Sequence, residues 1–405
     1  MTALFAASVA VRLWASDLQG PLISGDEQEY HFLANQLKEG NGFTDINGAP
    51  TAWRTPGFPV FLALIYTLTG ADPANARLAS IALSALTAPL IYLLVIFLIK
   101  KRSNAFVAAV IWVFLPTSIF LSGTLLAESL AAFLIAAAFL IAVASIEKSK
   151  LSRGAAAVSG LLMGAATLSR GYLILILVVL PLYFLFSKRS KKLAAICLAF
   201  AVLLPALWIA RNAVVLGSPT LSTEGAQVIW HGNNRWSRGT WNGEWFTTGS
   251  GQREYLIQKY PGFFDNLSER ERARIYLDEA AADISGEPVR VLLLTPRKLF
   301  FFLTPYSYMG LDWLYIVCFP FALAGAFMIL RRKKDRELSW ILIFPVICVA
   351  AIVVLAFGDP RFRHPVDLCF VLLSAIGITR LAAVTKRLVS NQRADIPRGQ
   401  PASSD

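Results

Sequence analysis

The sequence predicts an all-α, polytopic membrane protein, and three observations lead to this fold class. Of the 405 residues, 56% are hydrophobic and 16% are charged, a balance outside the usual range of soluble domains. Long apolar stretches recur along the chain, and the alternating pattern of barrel strands is absent. Because hydrocarbon cannot hydrogen-bond an open backbone, such stretches cross a membrane as helices. We expect a transmembrane helix bundle with interfacial helices and one long outer loop.

The elements of the bundle follow in chain order. About ten apolar stretches approach the roughly 20 residues that a spanning helix needs. They lie at residues 2–16, 76–99, 104–121, 126–146, 154–170, 172–187, 191–210, 311–330, 338–357 and 364–385. The stretches 56–70 and 289–309 are short or interrupted by proline and arginine, and we expect both to lie in the membrane interface.

Basic clusters set the expected orientation. They occur at every second connection, at residues 100–102, 148–153, 188–192, 331–336 and 386–387. The positive-inside rule places such clusters in the cytoplasm, next to anionic headgroups that also account for the net charge of +12. Nucleic acid is not an expected partner. Both termini are then inside, and residues 17–75, 122–125, 211–310 and 358–363 are outside.

This topology divides the chain into four parts. The expected domains are a transmembrane core at 1–210 with a first outer loop at 17–75, an outer loop with interfacial helices at 211–310, C-terminal transmembrane helices at 311–387, and a disordered cytoplasmic tail at 388–405.

The cysteines predict neither a disulfide framework nor a metal site. All four, Cys197, Cys318, Cys348 and Cys369, lie in apolar stretches, without metal-binding spacing and without a pair in the long outer loop. We expect no cofactor.

Five arginines fall on the expected outer side, against the positive-inside rule. They are Arg54, Arg170, Arg211, Arg361 and Arg363. A guanidinium is a rigid fork that matches phosphate oxygens, so arginines converging at one depth predict a phosphate site. The alternative interpretation is that they are interfacial anchors whose heads reach the headgroup layer.

Carboxylates lie at the beginning of two predicted helices. Asp26 and Glu27 open an amphipathic helix that is expected to run to about Lys38. Ser24 with Glu27 fits a capping box, and Asp26 suits the helix dipole, so both acids also have a structural interpretation. Glu128 lies within the outer end of a span, where an ionisable group needs a partner or a water-filled cavity.

The long outer loop is rich in aromatic residues. Trp230, His231, Trp236, Trp241 and Trp245 lie among glycine, asparagine and serine. Such rings stack on sugars, and they also favour the headgroup layer; both interpretations stay open.

A charged helix is expected later in the same loop. Residues 266–285 predict a surface helix whose charges are solvated. His31, His231 and His364 are isolated in the sequence, which is typical of structural or interfacial donors, although His364 beside Arg363 could assist phosphate binding.

These residues, in this order, resemble the GT-C superfamily of glycosyltransferases, which use lipid-phosphate sugars. The nearest groups are family 39 or protein-mannosyltransferase-like and aminoarabinose-transferase-like bacterial membrane proteins. The resemblance covers nearly the whole chain. It rests on Asp26-Glu27 with Tyr30, on Arg54 to Pro59, on Ala127 to Ser129, on Leu168 to Arg170, on Trp208 to Asn212 with Leu216 to Ser218, on Ser222 to Gly225, on Gly232 to Asn234, and on Asp359 to Pro365.

The resemblance and the residue patterns above together give a set of expected site residues; the resemblance carries Asp26, Glu27, Glu128, Arg54, Arg361 and Arg363. Asp26 takes the role of the essential acid, with Glu27 beside it, and Glu128 is the second acid. The donor phosphate is assigned to Arg54, Arg170, Arg211, Arg361 and Arg363. Sugar or acceptor contacts are assigned to Tyr30, Trp53, Trp230, His231, Asn233 and His364. No metal is implied by this scheme.

The expected reaction moves a sugar from a polyprenyl-phosphate donor to a lipid, glycan or protein acceptor. A carboxylate base and arginines around the leaving phosphate suit direct, inverting displacement. The expected location is the outer face of a bacterial cytoplasmic membrane. Two alternatives remain: a lipid-linked-sugar flippase or secondary transporter, and a glycan polymerase or ligase with a diphosphate-linked donor. The sequence shows no evident internal repeats, unlike many transporters.

Overall fold

The structure is a computed structural model that describes residues 1–19, 25–147, 152–188, 190–241, 251–307 and 310–394. It is helical almost throughout, which confirms the predicted all-α class. The helices of the first half are α1 (Thr2–Gln19), α2 (Asp26–Lys38), α3 (Gly57–Thr69), α4 (Pro73–Ile99), α5 (Arg102–Phe114), α6 (Pro116–Ser122), α7 (Glu128–Glu147), α8 (Arg153–Ser169), a 3-10 helix (Gly171–Val178), α9 (Val179–Lys188) and α10 (Lys191–Val215).

The second half begins with a group of shorter helices. These are α11 (Glu224–Asn233), α12 (Gly251–Lys259), α13 (Glu269–Gly286) and α14 (Pro288–Leu303). Strands β1 (Tyr306–Ser307) and β2 (Gly310–Leu311) pair antiparallel. The chain continues through α15 (Trp313–Arg331), a 3-10 helix (Lys333–Leu338), α16 (Ser339–Leu342), α17 (Phe344–Leu355), α18 (Pro360–Arg363), a 3-10 helix (His364–Val366) and α19 (Asp367–Ala394).

Five helices in the described part of the chain are long and apolar enough to cross a membrane. They are Pro73–Ile99, Glu128–Ile146, Lys191–Leu216, Trp313–Arg331 and Pro360–Lys386. The pair α5 and α6, bent by 54°, makes a sixth if it is one span. The predicted count of ten is therefore not confirmed. Helix α8 has only 17 residues, and the expected spans 172–187 and 338–357 are divided into shorter helices.

The bend between α5 and α6 has a specific cause. Pro116 has no N–H and cannot donate to the carbonyl of Trp112. The buried Arg12 of α1 donates to that carbonyl and to the carbonyl of Val113, at 3.3 Å in each case. Its other contacts are serine oxygens, including Ser118 Oγ at 2.9 Å. The guanidinium thus satisfies backbone oxygens that the bend exposes and fixes α1 against the bundle.

Small residues allow the helices of the bundle to approach closely. Gly160 and Gly164, four residues apart on α8, lie against α10, where an added Cβ would meet the carbonyl oxygens of Cys197 and Ala201 at 2.3 and 2.6 Å. This spacing is a common packing device in membrane helices. The closely packed helices form the main core, with a second apolar cluster between α2, α3 and α7.

Helices α11, α12 and α13 form a third apolar cluster, which we call the cap. Its centre is Trp230, Phe263 and Tyr276, each 3% exposed or less. The cap is tied to the first loop by Glu269, which accepts hydrogen bonds from Thr51 Oγ1 at 2.6 Å and Ala52 N at 2.9 Å. The expected surface helix is present as α13. The carboxylate of Glu269, its first residue, is however hydrogen-bonded to the first loop and is not simply solvated.

Several smaller expectations can be compared with the structure. Helix α2 ends at Lys38 as predicted, and all four cysteines are buried free thiols. The segment predicted as a disordered tail is helical as far as Ala394; residues 395–405 lie outside the described residues. Ser24, of the expected capping box, and Trp245 also lie outside them.

Candidate functional site

Three carboxylates surround the guanidinium of Arg54. Arg54 Nη2 lies 2.7 Å from Asp26 Oδ1 and 2.6 Å from Glu29 Oε2, and Nη1 lies 2.6 Å from Glu224 Oε1. Nε also donates to Glu29, at 2.7 Å. Arg54 is only 4% exposed, so these ion pairs are shielded from bulk solvent more than ordinary surface pairs are.

The ion pairs continue from Asp26 across the site. Asp26 Oδ2 lies 2.8 Å from Arg361 Nη1. Arg361 also donates to Glu128, and Glu128 accepts from Arg170. We call this connected set the charge cluster; it consists of Asp26, Glu29, Arg54, Glu128, Arg170, Glu224 and Arg361.

The local fold explains why these acids converge. Asp26, Glu128 and Glu224 are the first residues of α2, α7 and α11. A helix N-terminus favours negative charge, so each position suits a carboxylate electrostatically. Arg361 stands in the first turn of α18, where the carboxylate of Asp359 accepts from its backbone N–H at 2.7 Å. Four segments that are distant in the sequence therefore present their charges at one place.

Several polar atoms of this region are buried and lack a hydrogen-bond partner among the described residues. They are Glu128 Oε2, Arg170 Nε, Arg361 Nη2 and Tyr172 Oη. Buried polar groups are normally satisfied, so these atoms mark where water or a polar ligand would bind. In Arg54, by contrast, all three nitrogens make ion pairs or hydrogen bonds to carboxylates.

Burial and neighbouring charges change the protonation of the cluster. Burial raises the pKa of Glu224 above its usual range, although Arg54 opposes this. Burial and the charge of Glu128 raise the pKa of Asp359 to about 7. Burial alone would lower the pKa of Arg54, but the carboxylates, led by Glu224, raise it well above its usual value. Arg54 is therefore a permanent cation.

Tyr30 lies between two arginines of the cluster. Its ring centre is 5.4 Å from the guanidinium carbon of Arg54 and 5.7 Å from that of Arg170. The ring packs edge-on against Phe58, with centroids 5.1 Å apart. Both guanidiniums lie within the range of cation–π attraction, so Tyr30 helps to position them.

Two other residues of this region make hydrogen bonds to distant segments. Glu27 Oε1 accepts from the backbone N–H of Leu125 at 2.7 Å, which ties α2 to the turn before α7. Trp53 is half-buried, and its carbonyl accepts from Ser222 Oγ at 2.6 Å. Both contacts hold the loop in place beside the charge cluster.

Two of the five predicted phosphate-binding arginines lie outside the cluster. Arg211 donates to the carbonyls of Thr51 and Phe43, at 2.7 and 3.2 Å. Arg363 is fully buried and donates to Asp367 at 2.7 Å, with its guanidinium carbon 3.5 Å from the ring centre of Tyr315. The structure thus brings Arg54, Arg170 and Arg361 together, and not Arg211 or Arg363.

His364 lies with Arg363 inside the bundle. Its ring stacks on Trp112, with centroids 5.5 Å apart, and Nδ1 is 3.4 Å from Asp367 Oδ2. It is fully buried, so the structure does not place it at the charge cluster.

The predicted sugar contacts of the long loop belong to the cap. Trp230 is fully buried. His231 Nδ1 lies 2.9 Å from Gln252 Oε1, and burial lowers the pKa of His231 to about 4. Asn233 Oδ1 accepts from Lys298 Nζ at 2.7 Å, while its amide donates to the carbonyl of Leu355 at the same distance. These three side chains hold the cap together and attach it to the bundle.

Sequence reasoning missed three acids of this site: Glu29, Glu224 and Asp359. Glu29 follows Asp26 by three residues on α2, and this spacing places both on one helix face. Glu224 and Asp359 each precede or begin a short helix. That position has an ordinary capping explanation, so the sequence alone did not distinguish them from structural residues.

Comparisons with known proteins bear on this arrangement. Residues 53–210 match the family described as dolichyl-phosphate-mannose-protein mannosyltransferase. No curated protein matches the chain. Among solved structures, the oligosaccharyltransferase AglB from Archaeoglobus fulgidus, in complex with an inhibitory peptide and a dolichol-phosphate, is similar at 13% identity with a TM-score of 0.54. The likeness covers 100% of this chain and 52% of the archaeal protein.

Two further solved structures are similar. The Archaeoglobus fulgidus oligosaccharyltransferase in complex with Zn and sulfate has a TM-score of 0.55 at 14% identity, covering 95% of this chain and 49% of that one. ArnT from Cupriavidus metallidurans, bound to undecaprenyl phosphate, gives 13% identity over 94% of this chain and 78% of that one, with a TM-score of 0.43; this weaker likeness adds nothing to the assignment.

The chain spans about half the length of the archaeal enzymes that it matches. Over that length the helix arrangement is shared, and the family match lies within it. The multi-pass helical fold and the family match agree with the resemblance carried by the sequence segments. Residues 53–210 thus match a family of membrane glycosyltransferases, and the fold is that of the archaeal oligosaccharyltransferase.

Proposed function

We propose that the protein transfers a sugar from a polyprenyl-phosphate donor to a lipid, glycan or protein acceptor, with inversion at the anomeric carbon. The observation that carries the proposal is the position of Asp26 between Arg54 and Arg361 in the charge cluster, where Asp26 is partly exposed and Arg54 is buried. The basic clusters predict that the residues of the charge cluster belong to outer segments or to the outer ends of spans, and this supports assigning the reaction to the outer face of a bacterial cytoplasmic membrane.

The donor phosphate is assigned to Arg361 and Arg170. Each has a buried guanidinium nitrogen without a partner among the described residues, and guanidinium groups bind phosphate oxygens well. The archaeal enzyme of similar fold was solved with a dolichol-phosphate, and the matched family is described by a dolichyl-phosphate sugar. Both support a monophosphate donor.

Asp26 is assigned as the general base. Its Oδ2 is held by Arg361 before the donor binds. A phosphate that takes over this guanidinium would release Oδ2 to accept the proton of the acceptor hydroxyl. The acceptor oxygen then bonds to the anomeric carbon as the bond to the phosphate oxygen breaks, and the phosphate leaves with the electron pair. Arg361 and Arg170 stabilise the charge that develops there.

Arg54 and Glu128 have supporting roles in this scheme. Arg54 holds Asp26 Oδ1, which fixes the orientation of the base. Glu128 is shared by Arg361 and Arg170, so it sets the distance between the two phosphate-binding groups. Neither residue needs to touch the reacting atoms.

The acids of the cluster do not fit a divalent metal. One solved archaeal structure of this fold contains Zn. Here Asp26, Glu29, Glu128 and Glu224 are all paired with arginine, and the described residues contain no group of three His, Cys, Asp or Glu arranged to hold a metal. We propose transfer without a metal.

Lipid binding tests the assigned donor. Purified protein in nanodiscs is offered undecaprenyl phosphate or undecaprenyl diphosphate, and retained lipid is measured by native mass spectrometry. We expect the monophosphate to bind wild type and Asp26→Asn, and Arg361→Ala to bind it about tenfold or more weakly, as for a lost charged hydrogen bond. Arg274→Ala is the matched control, because this arginine is 84% exposed on α13.

The outcomes separate the alternatives. Preference for the diphosphate would favour a polymerase or ligase. Equal binding by wild type and Arg361→Ala would contradict the assigned phosphate site. Lipid-linked sugar crossing the bilayer of sealed vesicles without any glycosylated product would favour a flippase.

A further inference from the structure

A cavity in the cap is surrounded by charged and aromatic side chains that do not belong to the charge cluster. Its volume is about 290 Å³, close to the lower limit of small-molecule sites at about 300 Å³. It lies between α12 and α13, beside the turn that follows α11. We call it the cap pocket. Its lining includes Arg235, Tyr255, Lys259, Glu279, Ala282 and Asp283.

Glu279 holds one wall of the cap pocket together. It is 3% exposed, and its Oε1 accepts from Lys259 Nζ at 2.7 Å and from Tyr260 Oη at 2.5 Å. Its Oε2 accepts from Tyr255 Oη at 2.6 Å. Although burial opposes the change, these hydrogen bonds lower the pKa of Glu279 below its usual value. Both oxygens already have partners, so a ligand would not use this carboxylate.

Asp283, one turn further along α13, has an oxygen without a partner. Its side chain is 7% exposed. Oδ1 lies 3.3 Å from Arg235 Nη2, whereas Oδ2 is buried and has no hydrogen-bond partner among the described residues. A buried carboxylate oxygen that lacks a partner is costly. The side chain of Arg235 is 50% exposed and can rotate away, so a hydroxyl donor in the cap pocket can reach Oδ2.

Three ion pairs balance the charges around the cap pocket. They are Arg235 with Asp283, Lys259 with Glu279, and Arg290 with Glu287. An ionic ligand would leave its own charge, or one of these charges, without a partner, and an unpaired charge in a partly buried site is costly. The cap pocket therefore favours a neutral ligand.

The remaining groups of the cap pocket match the hydroxyls of a sugar. Asp283 Oδ2 is an acceptor, while Arg235 and Lys259 are donors whose side chains are 50% and 46% exposed. A hydroxyl both donates and accepts, so neighbouring hydroxyls of one sugar ring can use both kinds of group. Tyr255, which is half-buried in the lining, adds an aromatic surface against which a sugar ring can pack.

The cap pocket is separated from the charge cluster by the length of α11. Glu224 begins this helix, and Arg235 lies two residues after its end. At about 1.5 Å per residue the two are roughly 15 Å apart. One sugar ring is shorter than this separation, so the cap pocket does not hold the sugar that reacts at Asp26.

We propose that the cap pocket binds a neutral sugar unit of an acceptor glycan. Asp283 Oδ2 accepts from one hydroxyl of that sugar, and Arg235 and Lys259 donate to other oxygens. The assignment of this sugar to the acceptor rests on the proposed transfer reaction, whereas sugar binding itself does not.

Saturation-transfer NMR of the full-length protein in lipid nanodiscs tests sugar binding without donor and without a detergent that carries a sugar. The probes are the methyl glycosides of glucose, mannose, galactose and N-acetylglucosamine, with glucosamine and glucuronic acid as charged counterparts. We expect wild type to bind at least one neutral glycoside more tightly than either charged sugar. Asp283→Asn should weaken that binding about tenfold or more, as for a lost hydrogen bond to a charged group. Asp278→Asn is the matched control, because Asp278 is 69% exposed on the same helix.

Two tryptophan substitutions supply a second test that does not alter any ion pair. Ala282 is exposed and lines the cap pocket, so Ala282→Trp should fill the cavity and abolish glycoside binding. Ala281 is also exposed on α13 but does not line the cap pocket. Ala281→Trp should therefore bind the glycosides as wild type does.

Three results would overturn the inference. They are no binding of any neutral glycoside by wild type, tighter binding of a charged sugar, and binding that Ala282→Trp leaves unchanged. Failure of the proposed function would look different. If the glycosides bind as expected but Asp26→Asn leaves the glycan profile of cells unchanged, the cap pocket is a sugar site and the proposed transfer is wrong.

Discussion

Asp26 and Arg361 form an ion pair, with 2.8 Å between Asp26 Oδ2 and Arg361 Nη1. The two residues are far apart in the sequence. The pair joins the first turn of α2 to the first turn of α18. It brings the early acidic segment and the late arginine segment, which are separate in the sequence, into one site. A phosphate that replaces Asp26 on Arg361 would couple donor binding to release of the base.

The neighbouring arginine, Arg363, is expected to contribute to stability and not to donor binding. Its guanidinium is buried with Asp367, so Arg363→Ala removes the arginine partner of this buried carboxylate, at a cost of about 3–5 kcal/mol. Thermal unfolding in detergent should show a large fall in Tm. The double variant Arg363→Ala with Asp367→Ala should recover part of that loss. If Arg363→Ala keeps the wild-type Tm and binds lipid more weakly, Arg363 contributes to phosphate binding and the prediction is wrong.

Glu269 is expected to hold the cap against the first loop. Its carboxylate accepts from Thr51, Ala52 and Thr223, so Glu269→Ala should increase hydrogen exchange of the amides at 51–54. Glu271→Ala is the matched control on the same helix, because Glu271 contacts the N-cap residue Ser268. Equal exchange of the first loop in both variants would show that Glu269 does not connect the two parts.

A difference in pH dependence is expected for Asp359. Its pKa is raised to about 7 by burial and by Glu128, so the folded state binds its proton more tightly than the unfolded state does. This contribution to stability is present at low pH and is lost as pH rises from about 4 to 7. The Tm of wild type should therefore fall between pH 5 and pH 8, and the Tm of Asp359→Asn should fall by less.

The Asp359→Asn variant keeps an acceptor for the backbone N–H of Arg361, so the helix cap is preserved. Asp72→Asn, at the exposed N-cap of α4, is the control and should follow the wild-type slope. If Asp359→Asn shows the full wild-type slope, Asp359 does not titrate in this range.

Gly232 is expected to be essential for the position of α11. An added Cβ would lie 1.8 Å from the carbonyl oxygen of Ala356, so Gly232→Ala must move the helix whose first residue, Glu224, holds Arg54. We expect a lower Tm and lower transfer activity. Gly225→Ala on the same helix meets nothing within 4 Å and should be neutral or slightly stabilising, because alanine is the better helix former. Equal effects of the two substitutions would contradict this packing.

The sequence was sufficient to predict the charge cluster in part. The prediction included Asp26, Glu128, Arg54 and Arg170. Acids and arginines at the outer end of a membrane bundle are costly unless they have a partner or a function, so such residues indicate a site. Arg361 and Arg363 could not be separated by that argument. They lie two residues apart on a short helix, so their side chains point in different directions, and only one can face the cluster.

The number of membrane spans could not be predicted correctly from the sequence. Hydropathy detects apolar stretches but does not show where proline, 3-10 geometry or a buried arginine divides them. The segment 104–121 appears continuous in the sequence, yet Pro116 divides it and Arg12 stabilises the break. Likewise, Glu29 and Glu224 gave no signal of their own, because their role depends on Arg54, which comes from a different part of the chain.

The central claim is that Asp26 is the base of a glycosyl transfer, and the most direct test compares cells with the native gene and cells with Asp26→Asn at matched protein levels. Envelope lipids and glycans are analysed by mass spectrometry. The account predicts that one defined sugar disappears from one acceptor in the variant, while its lipid-linked donor accumulates. An unchanged glycan profile, with the variant folded and present in the membrane, would contradict it.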